Sequence, residues 1–232
     1  MKLLGISNTK TLKGEALGYR TYIMHLAPST LSGYQVCPMA SLGCSTACLN
    51  LSGMGRFSNV QAARVAKTRH FFEDRAAFMQ QLVREVRSAV KACQKAGLTP
   101  VFRLNGTSDI RWEMIPVLGD ALPTAYANLL DAFPMVQFYD YTKIPNRRNV
   151  PSNYHLTFSR SETNHQDVIL SQYNVAVVFD VLPATYLGRP VVDGTETDLR
   201  FLDPQNVVVG LKANGKAKQD MSGFTVITMR AA

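Results

Sequence analysis

Short apolar runs recur along this chain between helical or polar segments, and this alternation restricts the fold more than any other feature. Each run is rich in β-branched and aromatic residues, which predicts β-strands. The predicted strands cover residues 19–26, 101–105, 135–142, 154–159, 174–181, 206–213 and 224–229. The run at 174–181 is almost entirely apolar, as expected of a parallel strand that is buried on both faces.

The longest segment between two strands, residues 59–95, has helical periodicity. Its apolar residues recur at three- and four-residue steps and so share one helix face: Phe78, Leu82, Val86, Val90 and Cys93. Glu73 and Asp74 favour the start of a second helix within this segment, and Gly97 is expected to end it. Cys93 is therefore expected to be a buried core thiol. Residues 115–132 are expected to be helical in part.

Strands that alternate with helices pair in parallel through crossover connections, so the chain is predicted to be an α/β protein. The expected architecture is a TIM-like (β/α) barrel, complete or partial, formed by residues 1–232 as a single domain. A doubly wound open sheet is the alternative.

Composition favours a globular protein, and the absence of a recognisable export signal favours a reducing compartment. Hydrophobic residues make up 46% and charged residues 18% of the chain. No apolar run approaches the ~18 residues of a membrane span, and the first residues lack an apolar signal segment. We therefore expect a cytoplasmic protein without a membrane partner, and the oligomeric state stays open.

Three cysteines within twelve residues predict a metal site directly after the first predicted strand. Cys37, Cys44 and Cys48 have the spacing Cys-x6-Cys-x3-Cys. Thiolates are soft ligands that suit iron–sulfur clusters and zinc. Structural zinc usually has four protein ligands, so three thiolates favour a 4Fe–4S cluster with one open iron, or a 3Fe–4S cluster. Zinc, or three unlinked thiols in a loop, are the alternatives.

The surroundings of the cysteines fit a cluster. Gly43 and the small residues at 45–47 let backbone amides approach the sulfides, which tunes the cluster potential. The loop follows the first strand, and barrels carry their active sites at the carboxyl ends of strands. The open iron would accept water, a substrate or a nearby side chain such as His25 or His70.

Polar side chains also gather where the later strands end, and we expect several of them to bind a cofactor. These residues are Arg103, Asn105, Asp140, Lys143, Arg160 and Lys212. Asp109 follows the same strand as Asn105. Because four of the six are cationic and the formal net charge is +8, the predicted mouth suits an anionic small molecule or nucleic acid.

Several segments together resemble a known family. They are, in order, CPMASLGCSTACL, RLNGTSDI, FYDYTK, LTFSRSE and VVGLKA. Over about residues 22–224, they resemble a bacteriophage protein family close to the phage gene product 88 family. The resemblance implies a phage-encoded protein that acts in the host bacterial cytoplasm.

A looser resemblance is to radical S-adenosylmethionine barrel enzymes, which also carry three cluster cysteines after the first strand. It implies S-adenosylmethionine as a cofactor at the open iron. The spacing differs from the Cys-x3-Cys-x2-Cys of those enzymes, and Ala47 stands where they have an aromatic residue. These departures weigh against S-adenosylmethionine cleavage and leave the cluster prediction untouched.

Two kinds of function follow from these patterns. The first is a radical or redox enzyme in which a substrate binds the open iron. The second is a non-catalytic protein in which an iron–sulfur cluster or zinc staples the loop, and the basic surface binds nucleic acid or a host protein. A cluster used for electron transfer or sensing is a third possibility, and the sequence does not decide between catalysis and binding.

Overall fold

The apolar runs assemble into one mostly parallel sheet in the computed structural model of the chain. The structure describes residues 1–6, 13–48, 50, 53–118 and 125–228. The ten strands found in these ranges are β1 Leu4–Gly5, β2 Tyr19–Met24, β3 Thr99–Arg103, β4 Gln137–Thr142, β5 Tyr154–Ser159, β6 Val175–Phe179, β7 Thr185–Tyr186, β8 Arg189–Asp193, β9 Val208–Lys212 and β10 Thr225–Val226.

The strands follow the order β1-β2-β3-β4-β5-β6-β9-β8-β7, and β10 pairs with β6. Among these strands, the pairs β1–β2 and β7–β8 are antiparallel and the others are parallel. The predicted α/β class is thus confirmed. The two ends of this path, β1 and β7, do not pair over the described residues, so the sheet is open and a complete barrel is not confirmed.

The strand β5 ends at Ser159, beside the second residue of β6. β5 pairs with the first two residues of β6, whereas β10 pairs with Val178 and Phe179 at its end. Since β9 pairs with the other edge of β6 along its whole length, β10 lies on the same edge of β6 as β5, beyond the end of β5. Arg160, directly after β5, holds the C-terminal segment there by donating to the carbonyls of Gly223 at 2.6 Å and Phe224 at 2.8 Å.

Five α-helices have both ends within the described parts of the chain: α1 Leu42–Thr46, α2 Ser58–Glu73, α3 Arg75–Ala96, α4 Leu129–Ala132 and α5 His165–Leu170. The predicted division of the long helical segment is correct, because the Asp74 side chain caps α3 by accepting from the amide of Ala77 at 3.0 Å. Gly97 ends α3 with a left-handed φ of 66°. In the described ranges, no helix combines the length and apolarity needed to cross a bilayer.

The main core lies between α3 and the sheet. Phe78 and Leu82 of α3 are fully buried against Phe102 of β3 and other strand residues. Cys93 is also fully buried, with its sulfur 3.6 Å from the Tyr22 hydroxyl oxygen, as expected of a core thiol.

Some elements differ from the prediction. Within residues 115–132 the described α-helix is α4 alone, and residues 119–124 lie outside the description, as does residue 229 at the end of the last predicted strand. The strands β1, β7 and β8 were not predicted from the sequence. β1 and β7 have two residues each, which is too short for a recognisable apolar run. β8 contains Pro190 and is only half-buried, so its sequence lacks the pattern of a buried strand.

Candidate functional site

The cysteine loop lies over the carboxyl ends of β3 and β5. Near its start, the amide of Asp109, from the loop after β3, donates to the Val36 carbonyl oxygen at 2.7 Å. The Cys37 thiol donates to the Thr107 carbonyl oxygen at 3.7 Å and accepts from the Ser29 amide at 3.5 Å. The loop therefore occupies the edge of the sheet at which α/β proteins commonly bind ligands.

Glu162, which follows β5, anchors the next part of the loop. Its carboxylate accepts from the Ser41 hydroxyl and from the Gly43 amide, each at 2.7 Å. Burial alone would raise the pKa of Glu162, but these hydrogen bonds bring it below its usual value. Ser41 also caps α1 by accepting from the Cys44 amide at 3.2 Å, so Glu162 indirectly fixes the turn that carries Cys44.

Gly43 is required for this close approach. A β-carbon at residue 43 would lie 2.7 Å from Cβ of Phe224 and 2.9 Å from Oε1 of Glu162, and it would also collide with the Ser222 hydroxyl. The loop thus packs tightly between the chain after β5 and the C-terminal segment.

Three free thiols lie in this loop, and each is partly buried. Burial raises the pKa of Cys37 to about 11, and the charges of Cys48 and Cys44 add to the rise. Burial also raises the pKa of Cys48, with a further contribution from Cys44. The three sulfur atoms therefore share one electrostatic neighbourhood, in which Cys37 and Cys48 are protonated at neutral pH.

The sulfurs do not form a closed ligand set in this conformation. Over the described residues, no three His, Cys, Asp or Glu side chains are gathered closely enough to hold a metal ion. The donor set is nevertheless suitable for a cluster, because three thiols lie on one loop and an amide already donates to one of their sulfurs.

The charges of two cations, Arg64 and Lys143, oppose the rise in the pKa of Cys48. Arg64, on α2, is 9% exposed and donates to the side-chain oxygen of Asn50. Lys143 follows β4, and its Nζ donates to the Ser159 hydroxyl at 2.9 Å. Both charges favour an anionic group at the cysteines.

Arg64 was not predicted from the sequence to be a site residue. The sequence feature that could have indicated it is its position on the buried stripe of α2, with Thr68 and Phe71 at i+4 and i+7. A cation on the buried stripe of a helix is rarely placed there without a partner.

Asp109 also belongs to the site. Its Oδ2 accepts from the Lys143 amide at 2.7 Å, and its Oδ1 is buried without a hydrogen-bond partner. Burial raises the pKa of Asp109, opposed by the Lys143 amide, the Thr142 hydroxyl and Arg147. The charge of Asp109 contributes to the raised pKa of Cys37, so the carboxylate is within electrostatic reach of that sulfur.

Two of the predicted cofactor-binding residues, Asn105 and Asp140, hold the loop after β3 in place. Oδ1 of Asn105 accepts from the Ser108 hydroxyl at 2.8 Å, the Ile110 amide at 3.0 Å and the Trp112 indole at 3.1 Å. Asp140 is fully buried, which raises its pKa to about 7, and it accepts from the Asn105 amide at 2.8 Å.

Three other predicted residues make their main contacts elsewhere. Arg160 holds the C-terminal segment, as described above. Lys212 is exposed and pairs with Asp193 at 3.0 Å. Arg103 pairs with Asp198 at 3.0 Å on the side of the sheet that faces away from α3. Of the six predicted residues, Lys143 is the one whose charge acts on a thiol of the loop, together with the unpredicted Arg64. A cofactor-binding role for the six residues stays a prediction.

The two histidines considered as further ligands differ in position. Burial, with the charges of Arg64 and Arg103, lowers the pKa of His25 to about 3, so this imidazole is neutral. His70 is half-buried and packs edge-on against Phe78 of the core, with ring centroids 5.4 Å apart.

These features define an α/β protein whose cysteine loop is fixed over the carboxyl edge of a mostly parallel sheet. The family model for Gene product 88, a phage family, matches residues 1–226, and the chain belongs to this family. No curated protein and no solved structure matches the chain. The looser resemblance to radical S-adenosylmethionine enzymes is not supported.

Proposed function

We propose that Cys37, Cys44 and Cys48 bind an iron–sulfur cluster, and that the protein uses it for redox chemistry. The cluster is a 4Fe–4S cluster with one iron free of cysteine, or a 3Fe–4S cluster. The observation that carries the proposal is the grouping of three free, partly buried thiols on one loop, of which Cys37 and Cys48 have a raised pKa.

The chemistry of the neighbouring groups supports a cluster. Iron displaces the thiol protons, so metal binding compensates for the cost of burying thiolates. Arg64 and Lys143 offset the negative charge that three thiolates and the sulfides bring. The Ser29 amide already donates to the Cys37 sulfur, as amides commonly do to cluster ligands. Ligation would draw the three sulfurs together around the cluster.

The open position at the cluster gives the redox function a place for a substrate. Lys143 lies at this edge and would attract an anionic small molecule. The proposal does not include cleavage of S-adenosylmethionine, since the cysteine spacing and Ala47 depart from the enzymes that perform it. We assign the protein to the host bacterial cytoplasm, because its family is a phage family and a reducing compartment keeps these thiols free.

A non-catalytic role is the second candidate, and one observation favours it. The cysteine loop is bonded to the chain after β3 through Asp109 and to the chain after β5 through Glu162. A cluster or a zinc ion in the loop would therefore staple two strand ends together. The basic surface would then bind nucleic acid or a host protein.

Iron and acid-labile sulfide analysis of the anaerobically purified full-length chain tests the proposal, together with paramagnetic resonance. We expect a brown protein with iron and sulfide in cluster stoichiometry, and loss of both in Cys44→Ala. Cys93→Ala, which removes a core thiol remote from the loop, should keep the colour. A colourless protein with one zinc would contradict the redox proposal and support the stapled loop.

A further inference from the structure

We propose that the outward face of α3 binds the phosphate backbone of a double-stranded nucleic acid through a line of three exposed cations, Arg84, Lys91 and Lys95, which we name the basic stripe. This inference does not depend on the cluster. It gives a place and a ligand to the basic surface of the second candidate function.

The basic stripe runs along the side of α3 that faces away from the core. Val86 and Cys93 are buried on the opposite side of the helix. Because an α-helix turns by about 100° per residue, the three cations lie within about 40° of one another around the helix axis. At a rise of about 1.5 Å per residue, the stripe is about 16 Å long. Arg87, which is also exposed, flanks it.

Acidic side chains do not offset this charge. Glu85 is the one acidic residue of α3, and its carboxylate accepts hydrogen bonds from the amides of Leu3 and Leu4, each at 2.9 Å. Within the ranges that the structure describes, none of the three cations of the basic stripe forms a salt bridge. The stripe is therefore a line of uncompensated positive charge on a rigid helix.

A simply solvated helix face is the competing explanation, and the charge pattern weighs against it. A solvated face usually carries charges of both signs, which pair at i and i+4. Cations near the carboxyl end of a helix interact favourably with its dipole. That effect accounts for Lys95, in the last turn of α3, but not for Arg84, about three turns earlier.

The other side chains of this face favour a nucleic acid over an acidic protein or a membrane. The exposed residues between the cations include Ser88 and Ala92, which are small. Protein interfaces rely on large aromatic or apolar anchors. Membrane-surface helices insert an apolar face, whereas the apolar face of α3 is in the core.

The same face favours a duplex over a single strand. Proteins bind single strands by stacking bases on aromatic rings, and the one aromatic residue of α3, Phe78, is fully buried. Lysine and arginine contacts with phosphates need no aromatic partner and carry no sequence information. We therefore expect binding to duplexes of any sequence, with a strong dependence on salt.

The test is a titration of labelled duplexes of mixed sequence, one of DNA and one of RNA, with the full-length chain at several KCl concentrations. Fluorescence anisotropy gives the affinity, and each phosphate contact adds about 0.9 to the slope of log affinity against log salt concentration. We expect the triple variant Arg84→Gln, Lys91→Gln, Lys95→Gln to bind more weakly and to lose about 3 from this slope. Glutamine is a good helix former, so α3 should be retained.

A matched control removes three exposed cations that lie outside α3. The triple variant Arg148→Gln, Lys216→Gln, Lys218→Gln changes the net charge by the same amount, and its slope should stay near that of the wild type. Binding of either duplex with these slopes supports the proposal, and the duplex that binds more tightly identifies the nucleic acid.

Four results would overturn the proposal. They are no binding of either duplex at low salt, an equal loss of slope in both triple variants, tighter binding of the single strand, and binding of phosphatidylserine vesicles alone. If circular dichroism shows that the α3 variant does not fold, Lys91→Gln alone should lower the slope by about 1, and an unchanged slope would overturn the proposal equally. The assay needs no metal, so its failure leaves the cluster proposal, tested by iron and sulfide analysis, untouched.

Discussion

The carboxylate of Glu162 accepts a hydrogen bond from the backbone amide of Gly43 at 2.7 Å, although 119 residues separate them in the sequence. The same carboxylate binds the Ser41 hydroxyl, so one side chain after β5 fixes the start of the helix that carries Cys44. The geometry of the cysteine loop thus depends on a residue outside it.

Replacing this anchor should loosen the loop. We expect Glu162→Ala to lower the free energy of unfolding by about 2 kcal/mol, because two hydrogen bonds to a charged group are lost, and to reduce the iron bound on reconstitution. Urea unfolding and iron analysis measure both effects. Glu162→Gln keeps one acceptor oxygen and should lose less; equal losses in the two variants would show that the hydrogen bonds do not matter.

Gly43→Ala tests the close packing of the loop against the C-terminal segment. The added methyl group would collide with Phe224 and Glu162, and we expect a destabilisation of about 1–3 kcal/mol. Ser45→Ala, at an exposed position of the same short helix, is the control and should change stability by less than about 0.5 kcal/mol. A neutral Gly43→Ala would contradict the packing described here.

Lys143→Met tests the electrostatic role of the cation beside Cys48. Removing a positive charge disfavours the more negative reduced cluster, so the reduction potential should fall. Lys143→Arg keeps the charge and should leave the potential near that of the wild type. A potential that is unchanged in Lys143→Met would place the cluster away from this residue.

The raised pKa of Cys37 predicts a pH dependence of stability in the metal-free protein. Cysteine in the unfolded chain titrates near ~8.5, whereas the pKa of native Cys37 is about 11. Between these values the native state keeps a proton that the unfolded state has lost, so stability falls as pH rises, by up to ~1.4 kcal/mol per pH unit. Denaturant unfolding at several pH values should give a shallower fall for Cys37→Ala. Parallel curves would show that Cys37 is not buried as described.

Asn105→Ala should destabilise the fold rather than affect a cofactor alone. Its Oδ1 is the acceptor for three donors, including the Trp112 indole, and leaving these donors unpaired should cost about 3 kcal/mol. Thermal unfolding followed by the fluorescence of Trp112 measures the change. Ser108→Ala removes one of the three donors and should cost about 1 kcal/mol; a larger loss there than in Asn105→Ala would contradict this assignment.

Local patterns predicted most of the elements because their causes are local. The strand Tyr154–Ser159 has the predicted bounds, and Asp74 and Gly97 mark the predicted limits of α3. The open sheet was predicted only as the alternative to a barrel, because closure of a sheet depends on contacts between distant residues. The insertion of β10 beside β6 is held by Arg160 and carbonyls more than 60 residues away, and no sequence pattern encodes that pairing.

The site was predictable only in outline for the same reason. The rule that ligands gather at the carboxyl ends of strands correctly placed the cysteine loop. The rule does not say on which face of the sheet each side chain lies, and Arg103 lies on the face away from α3, where it pairs with Asp198. Nor does it say that the Asn105 amide donates a hydrogen bond to Asp140. The charges of Arg64 and Asp109 act on the cysteines through tertiary packing alone.

Native mass spectrometry of the anaerobically reconstituted full-length chain tests the central claim most directly. We predict a mass increase equal to one iron–sulfur cluster in the wild type, and no increase when Cys37, Cys44 and Cys48 are all replaced by serine. A wild-type mass equal to that of the bare chain or of the chain with a single zinc would contradict the account, as would an undiminished cluster in the triple variant.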